Sequence, residues 1–303
     1  MSFNLRILNA GPSRAVLPDA MRLGPVRLVV TNLERAVDFY ATVLGLKVTG
    51  RGQERGRAVA HLATGQEEIV VLEENSRARK AGRHAGLYHV AYNFPTRLEL
   101  ARSLRRIVES RTPIEGASDH RTHEAIYLRD PDGNGLELAW DFSEDRWPRT
   151  AAEFPTGPEP LDLEGLLALT SGEPAVPTAD AGLRVGHLHL HVGNIQRAVD
   201  FYVGLLGLEH RADLGSGAFM SAGGYHHHLG VNVWRGQDAP PVPADVVGLR
   251  EWRVYLPTTA DVDAARERMI AGGVAVAPAG GDAFTVSDPW GIPLHVGRDP
   301  RLS

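Results

Sequence analysis

Apolar residues occupy every second position in two short segments of the chain, residues 26–30 and residues 188–192. A period of two predicts a β-strand with one face in a core. After the first segment, apolar residues recur at helical spacing from Ala36 to Leu44. Asn32 suits the N-cap of this helix and Gly45 suits its C-cap. The pattern therefore predicts a strand followed by a short amphipathic helix, and the second segment repeats that order.

Short β-rich runs separated by glycine follow the predicted helix, as in residues 58–62 and 69–72, and give a unit of order βαβββ. A second unit has the same order. It consists of predicted strands at residues 88–94, 125–128 and 135–140, a helix at residues 98–110, and a turn at residues 130–133. In this turn Pro131 fixes φ and Gly133 permits a positive φ.

An internal repeat organises these units. Residues 24–48 match residues 186–210 at 13 of 25 positions, and similarity at one fixed offset indicates duplication. A fainter repeat inside each half gives four modules, at residues 24–75, 86–142, 186–235 and 248–297. We expect an α+β fold of two tandem domains, residues 1–142 and 182–303, joined by a linker of residues 143–181 that contains one short helix.

Composition narrows the class of function. The chain of 303 residues has a net charge of −5 and no long run of charge, so nothing indicates binding to nucleic acid or to an anionic membrane. It has no cysteine, so a metal site would use His, Asp or Glu. No apolar stretch would span a bilayer, and the N-terminus lacks the pattern of a signal peptide. We expect a cytoplasmic protein that acts on a small molecule.

Three histidines, His187, His189 and His191, alternate along one predicted strand and therefore share one of its faces. An exposed strand face or a hydrogen-bonded core histidine explains any one of them. The first module has no histidine at the equivalent positions, and Pro25 stands where the third module has His187. The repeated fold therefore does not itself require histidine there.

Two further candidates lie in the second module. His89 belongs to its first predicted strand and Glu137 to its last. Taken alone, each has a plain structural explanation, since a Glu between apolar neighbours usually faces outward from a strand. Together with His187 they would supply two imidazoles and one carboxylate, which is the facial triad of non-haem Fe(II) oxygenases. The sequence therefore predicts a metal site at these three residues.

A run of three histidines, His226, His227 and His228, enters the last predicted strand of the third module. On a strand, His226 and His228 would face one way and His227 the other. Two interpretations stay open. At least one imidazole faces a cavity, where it would suit proton transfer near neutral pH, or the run is a polar edge in contact with solvent.

At this point the chain resembles the vicinal oxygen chelate superfamily, also known as the glyoxalase/bleomycin resistance protein/dioxygenase fold. Within it, the chain is similar to the two-domain extradiol ring-cleaving dioxygenases of the catechol 2,3-dioxygenase type. The residues that carry the resemblance are VTNLERAVDFYATVLGL with its second copy, GLYHVA at 86–91, GASDH at 116–120, EAIYLRDPDGNGLEL at 124–138, GHLHLHV at 186–192 and SAGGYHHHLGVNVW at 221–234. Together they cover nearly the whole chain.

The resemblance implies a set of metal ligands and a reaction. It places Fe(II), with Mn(II) as the alternative, on His89, Glu137 and His187, between mixed sheets curled around a metal-binding cavity. It implies that a small aromatic diol of the catechol type is opened by dioxygen to a muconic semialdehyde. It also implies a homo-oligomer, without a nucleic-acid or membrane partner.

The resemblance also implies catalytic roles. His227 matches the acid–base histidine of the family, because Gly230 follows it by three positions as a small residue does in relatives. Tyr127, ten residues before Glu137, matches a tyrosine near the metal, and His120 is similar to a pocket histidine, although it lies closer to Tyr127 than in relatives. We expect His227 to move protons, and Tyr127 and His120 to hydrogen-bond substrate oxygens.

The chain departs from many relatives in one respect. In those relatives all three ligands belong to the C-terminal domain, whereas here the fourth module has Glu251 and His295 in swapped order. We therefore expect the site between the second and third modules, within one chain or between chains. Two rivals stay open: a glyoxalase-type isomerase with Zn or Ni, which normally has a further Glu ligand, and a metal-free binding protein of the same fold.

Overall fold

The computed structural model describes residues 6–8, 16–150, 153, 157–299 and 301. Two mixed β-sheets and five α-helices make up this part of the chain, which confirms the predicted α+β class. The strands of the first half and linker are β1 (Arg6–Ile7), β2 (Arg22–Leu23), β3 (Val26–Val30), β4 (Lys47–Glu54), β5 (Arg57–Thr64), β6 (Glu67–Glu74), β7 (Gly86–Asn93), β8 (Ile114–Asp119), β9 (His123–Arg129), β10 (Gly135–Asp141) and β11 (Glu159–Pro160).

The second half continues the same order of elements. Its strands are β12 (Arg184–His191), β13 (Glu209–Asp213), β14 (Gly217–Ser221), β15 (Leu229–Asn232), β16 (Gly248–Leu256), β17 (Ala277–Pro278), β18 (Phe284–Ser287) and β19 (Pro293–Arg298). The α-helices of the described chain are α1 (Leu33–Leu44), α2 (Arg97–Glu109), α3 (Leu163–Ala168), α4 (Ile195–Val199) and α5 (Thr259–Ala271). A 3₁₀ turn (Glu144–Arg146) lies in the linker, and a π-helix (Asp200–Leu206) continues α4.

Each sheet combines one module from each half of the chain. The larger sheet has the order β1-β13-β14-β15-β12-β7-β10-β9-β8-β11, and the smaller has β17-β18-β19-β16-β3-β6-β5-β4 with β2 beside β16. The second and third modules therefore share one sheet, and the first and fourth share the other. At the centre of the larger sheet, β7 and β12 are antiparallel neighbours, and each also pairs in parallel with the last strand of its own module, β10 or β15.

The predicted capping residues of the first helix, Asn32 and Gly45, lie at its two ends. The side chain of Asn32 accepts a hydrogen bond from the backbone N–H of Arg35 at 2.9 Å, so it satisfies one of the free donors at the start of α1. Gly45 ends the helix with a φ of 72°, a left-handed conformation that favours glycine. In the second copy Asn194 caps α4 in the same way, but the helix widens into the π-helix before Gly207.

A tyrosine in each repeated helix links that module to the next. Tyr40 donates to Asp130 Oδ2 at 3.3 Å, and Tyr202 donates to Asp288 Oδ2 at 2.8 Å. Both carboxylates lie in the turn before the last strand of the following module, and both also accept backbone N–H groups of their own turn. This link fixes the start of β10, the strand that carries Glu137.

The linker residues that the structure describes contain α3 and the short strand β11, which pairs with β8 at the edge of the larger sheet. The chain therefore crosses from the first half to the second along the sheet that contains the candidate site. No helix within the described ranges is long and apolar enough to cross a membrane.

Candidate metal centre

His89, Glu137 and His187 come together in the middle of the larger sheet. They lie on the adjacent strands β7, β10 and β12. Their side chains face one point, and their exposed fractions are 6%, 1% and 2%. Two of these residues belong to the second module and one to the third, all within one chain. Antiparallel pairing of β7 with β12 is what brings the two histidines together.

The distances between their donor atoms suit a bound metal. Glu137 Oε2 lies 3.0 Å from His89 Nε2 and 3.2 Å from His187 Nε2. Two donors bound to one metal at about 2.1 Å and at right angles lie about 3 Å apart. His89 Nε2 is buried and makes no hydrogen bond of acceptable angle within the described chain, even though Glu137 is near. A buried nitrogen that lacks a hydrogen bond and is directed at the same point as a carboxylate is the arrangement expected of a metal ligand.

The three side chains are ligands that suit a divalent transition metal. Burial opposes charge on Glu137, but His187 and His89 outweigh it and hold the pKa of this carboxyl well below its usual range. Burial lowers the pKa of His89, so its imidazole is neutral and can donate a lone pair. Two imidazoles and one carboxylate on one side of a metal leave its other positions open. The residues present therefore fit the metal that the resemblance implies.

Tyr127 and His120 form a hydrogen-bonded pair beside this centre. Tyr127 OH and His120 Nε2 lie 2.7 Å apart, and the tyrosine ring lies 5.7 Å from the ring of His89. Burial, with the charge of Glu137, raises the pKa of Tyr127 well above its ordinary value, so the phenol keeps its proton. Burial lowers the pKa of His120 to about 3, so this imidazole is neutral. Both side chains line the cavity.

The run of three histidines does not follow the predicted alternation. Strand β15 begins at Leu229, so the three residues precede it in a loop, and both His226 and His227 line the cavity. The expectation that they face opposite ways is therefore wrong. The ring of His227 is close to the centre, 4.1 Å from the ring of His187. The other neighbour, His228, accepts a hydrogen bond from the backbone of Ala222 at 3.3 Å and is not a lining residue.

Two residues of the site, His123 and Asp141, were not predicted from the sequence. His123 Nε2 lies 2.9 Å from Glu137 Oε1, the carboxylate oxygen that faces away from the candidate ligands. Asp141 Oδ1 lies 3.2 Å from His226 Nε2. The period of β9 could have predicted that His123 lies in the site, because residues 123 and 127 share one face of a strand.

His189, which was predicted to share a strand face with His187, also belongs to the site. Its ring lines the cavity, and its Nε2 is buried without a hydrogen-bond partner in the described part of the chain. The ring packs flat against Gly230, where an added Cβ would approach its Cγ and Nδ1 to 3.0 Å. His191, the next residue on this face, instead has a hydrogen bond of 2.7 Å with Asn232. The three alternating histidines therefore have different surroundings.

A cavity of about 410 Å³ opens over the centre. This volume lies in the range of small-molecule sites. Its walls away from the centre are mainly aromatic and apolar: Ile7, Trp147, Pro148, Pro158, Leu214, Phe219 and Trp234. Part of the linker and strand β1 thus form one side of the cavity.

The equivalent region of the smaller sheet contains ion pairs instead. Arg27 lies 2.5 Å from Glu54 and 3.5 Å from Glu73, and Glu251 lies 3.2 Å from Arg253. His295 is paired with Thr285 across the β18–β19 ladder and belongs to no cluster of possible metal ligands among the described residues. The swapped pair in the fourth module therefore has no third ligand beside it, and arginines take its place.

The chain belongs to the Glyoxalase/Bleomycin resistance protein/Dioxygenase superfamily, whose model matches residues 22–138 and 184–296. The two matched segments together span most of the chain and flank the linker. The family resemblance predicted from the repeated helices and the narrower motifs is therefore confirmed.

Among individual relatives, a catechol-2,3-dioxygenase of Bacillus subtilis (strain 168) is 35% identical over 272 residues, which are 88% of this chain and 93% of the relative. A biphenyl-2,3-diol 1,2-dioxygenase of Rhodococcus globerulus is 31% identical over 44% of this chain and 69% of its own. A solved structure from Bacillus subtilis subsp. subtilis strain 168 superposes with a TM-score of 0.65 at 17% identity, covering 92% of this chain and 85% of the other. The structural likeness establishes the fold.

Proposed function

We propose that this protein cleaves a catechol-type aromatic diol with dioxygen at a non-haem Fe(II) centre and releases a muconic semialdehyde. The observation that carries the proposal is the buried group of His89, Glu137 and His187, two imidazoles and one carboxylate whose donor atoms lie 3.0 and 3.2 Å apart. The relative that is 35% identical over most of the chain supports the same reaction. Bound Fe(II) would hold the diol and dioxygen at its open positions and pass electron density between them.

In this proposal His227 is the proton acceptor and donor. Burial, with the neighbouring His187 and His226, lowers its pKa well below the ordinary value, so the imidazole is neutral before the reaction. A neutral imidazole accepts a proton from a catechol hydroxyl and can return it to the product. The 2.9 Å contact between His226 Nδ1 and His227 Nδ1 fixes the ring, because one of these nitrogens must donate and the other accept.

Tyr127 and His120 orient the substrate in this proposal. The phenol keeps its proton and can donate a hydrogen bond to a substrate oxygen, while its contact with His120 Nε2 holds it in place. The apolar wall of Phe219, Trp234 and Trp147 packs against the aromatic ring and excludes water. These residues supply position and protons.

The test begins with protein purified anaerobically and assayed for bound metal and for catechol-dependent oxygen uptake. About one iron per chain, with one dioxygen consumed for each yellow ring-opened product, supports the proposal. Zinc or nickel with hemithioacetal isomerisation would support the glyoxalase-type rival, and a metal-free chain that binds aromatic ligands would support the binding protein. The isomerase is disfavoured by the candidate cluster itself, which contains one carboxylate within the described residues.

A further inference from the structure

His123 is a buried residue whose side chain contacts the candidate ligand Glu137. Its side chain is 3% exposed. Its Nε2 lies 2.9 Å from Glu137 Oε1, and its Nδ1 lies 2.8 Å from Thr122 Oγ1. Both ring nitrogens are therefore engaged.

Two further imidazoles clamp the faces of this ring. The ring of His120 lies 4.6 Å away on one side at an interplanar angle of 10°, and the ring of His226 lies 5.0 Å away on the other at 12°. His226 is held in turn by Asp141, at 3.2 Å. A ring stacked on both faces cannot rotate about its Cβ–Cγ bond without displacing its neighbours.

The same stacking excludes a second metal site here. His123, Asp141 and His226 have donor atoms close enough to hold an ion. The lone pair of an imidazole nitrogen lies in the plane of its ring, however, and two nearly parallel rings 5.0 Å apart have lone pairs in separate planes, which do not meet at one ion. Both nitrogens of His123 also have other partners. The group is therefore a hydrogen-bonded support.

The support determines which oxygen of Glu137 faces the candidate ligands. Because Oε1 is bonded to His123, Oε2 alone points toward His89 and His187. A carboxylate without this contact could turn about its last bond and would leave a buried oxygen unpaired, which costs about 1–3 kcal/mol. Outer hydrogen bonds of this kind commonly change metal affinity by about 10- to 100-fold.

We propose that His123 is a positioning residue, which fixes Glu137 in a one-oxygen binding mode through its Nε2–Oε1 hydrogen bond and thereby sets the metal affinity of the centre. The inference rests on the proposed metal centre and adds to it a residue outside the ligand set. It also gives His226 and Asp141 a role, since they support the face of the His123 ring.

Two substitutions separate hydrogen bonding from packing. His123→Phe keeps an aromatic ring in the stack and removes the donor, whereas His123→Gln removes the ring and keeps an N–H near the position of Nε2. His61 offers a matched control in the smaller sheet, because its imidazole also lies between carboxylates, Glu54 at 2.9 Å and Glu68 at 2.5 Å. His61→Phe and His61→Gln test whether removing any such contact matters.

The measurement is the affinity of the full-length chain for Co(II) or Zn(II), by competition with a chelator, together with thermal unfolding of each metal-free variant. His123→Phe should bind metal about 10- to 100-fold more weakly, His123→Gln should stay within a few-fold of the wild type, and both His61 variants should match it. If His123→Phe does not fold, His123→Leu takes its place.

Two results would overturn the inference alone: an unchanged affinity in His123→Phe, or a loss in His123→Gln as large as that in His123→Phe, which would assign the effect to packing. A wild-type chain that binds neither metal would refute the proposed function together with this inference. The two failures are therefore distinguishable.

Discussion

His89 and His187 belong to different halves of the chain, yet their imidazole rings lie 5.5 Å apart on the neighbouring strands β7 and β12. Their proximity depends on the pairing of the second module with the third, and the first and fourth modules pair in the other sheet in the same way. A site of this kind exists only when both halves fold together.

Separate halves should therefore be inactive. Fragments 1–150 and 180–303 each lack half of both sheets, so each would expose one edge of β7 or β12 to solvent. We expect neither fragment to bind metal or cleave a catechol alone, and we expect both properties to return on mixing. Metal content and oxygen uptake of the purified fragments and of their mixture check this. Activity in fragment 180–303 alone would refute the shared site.

Replacing His227 should affect turnover more than binding. Loss of a general acid–base group typically lowers the rate by about 10² to 10⁴-fold, so His227→Phe should lower kcat by such a factor while metal content and catechol affinity change little. His228→Phe is the matched control, because His228 is likewise partly buried but does not line the cavity. An effect on kcat as large in His228→Phe would show that the loop is misassigned.

His189 should contribute to function at the expense of stability. Its Nε2 is buried and unpaired in the described part of the chain, and an unsatisfied buried polar atom costs about 1–3 kcal/mol. His189→Leu should therefore raise the free energy of unfolding of the metal-free chain by about 1 kcal/mol and weaken catechol binding. Urea unfolding and anaerobic catechol titration measure the two effects. A lower free energy of unfolding would indicate that the nitrogen has a partner in solution.

Acid should destabilise the metal-free chain between pH 6.5 and 4. Burial lowers the pKa of His120 and His228 to about 3, and that of His191 and His226 to about 4. An unfolded histidine has a pKa of about 6.5. As the pH falls through this value, the unfolded chain binds protons that the folded chain refuses, so the stability that is present above pH 6.5 is lost.

Each of these histidines adds a slope of at most about 1.4 kcal/mol per pH unit in that window. His123 opposes the trend, because its hydrogen bond to Glu137 outweighs burial and raises its pKa. Urea unfolding at pH 7 and pH 5 measures the net effect. Equal free energies of unfolding at the two pH values would contradict it.

Much of the fold followed from local patterns in the sequence. The start and end of α1 depend on a cap at Asn32 and a positive φ at Gly45, and each is a property of a few neighbouring residues. The candidate ligands could be predicted because the repeated modules can be compared with one another. Pro25 stands where the third module has His187, so the fold does not explain that histidine.

The rest depended on contacts distant in sequence. Whether His226 and His227 face the same cavity depends on where β15 begins, which is one residue after the run. The contact of His123 with Glu137 joins β9 to β10 and needs the stacked rings of other segments. The pairing of modules across the two halves is likewise a property of the assembled sheets, since each module has the same local pattern.

The most direct test of this account is the amount of Fe(II) bound per chain after anaerobic dialysis of the wild type, His89→Ala, Glu137→Ala, His187→Ala and the control His295→Ala. A metal centre with three protein ligands cannot replace a lost ligand with a neighbouring side chain. We therefore predict about one iron per chain in the wild type and in His295→Ala, and almost none in the other three variants. These three variants should remain folded. Full iron content in Glu137→Ala or His187→Ala, or its loss in His295→Ala, would contradict the proposed centre.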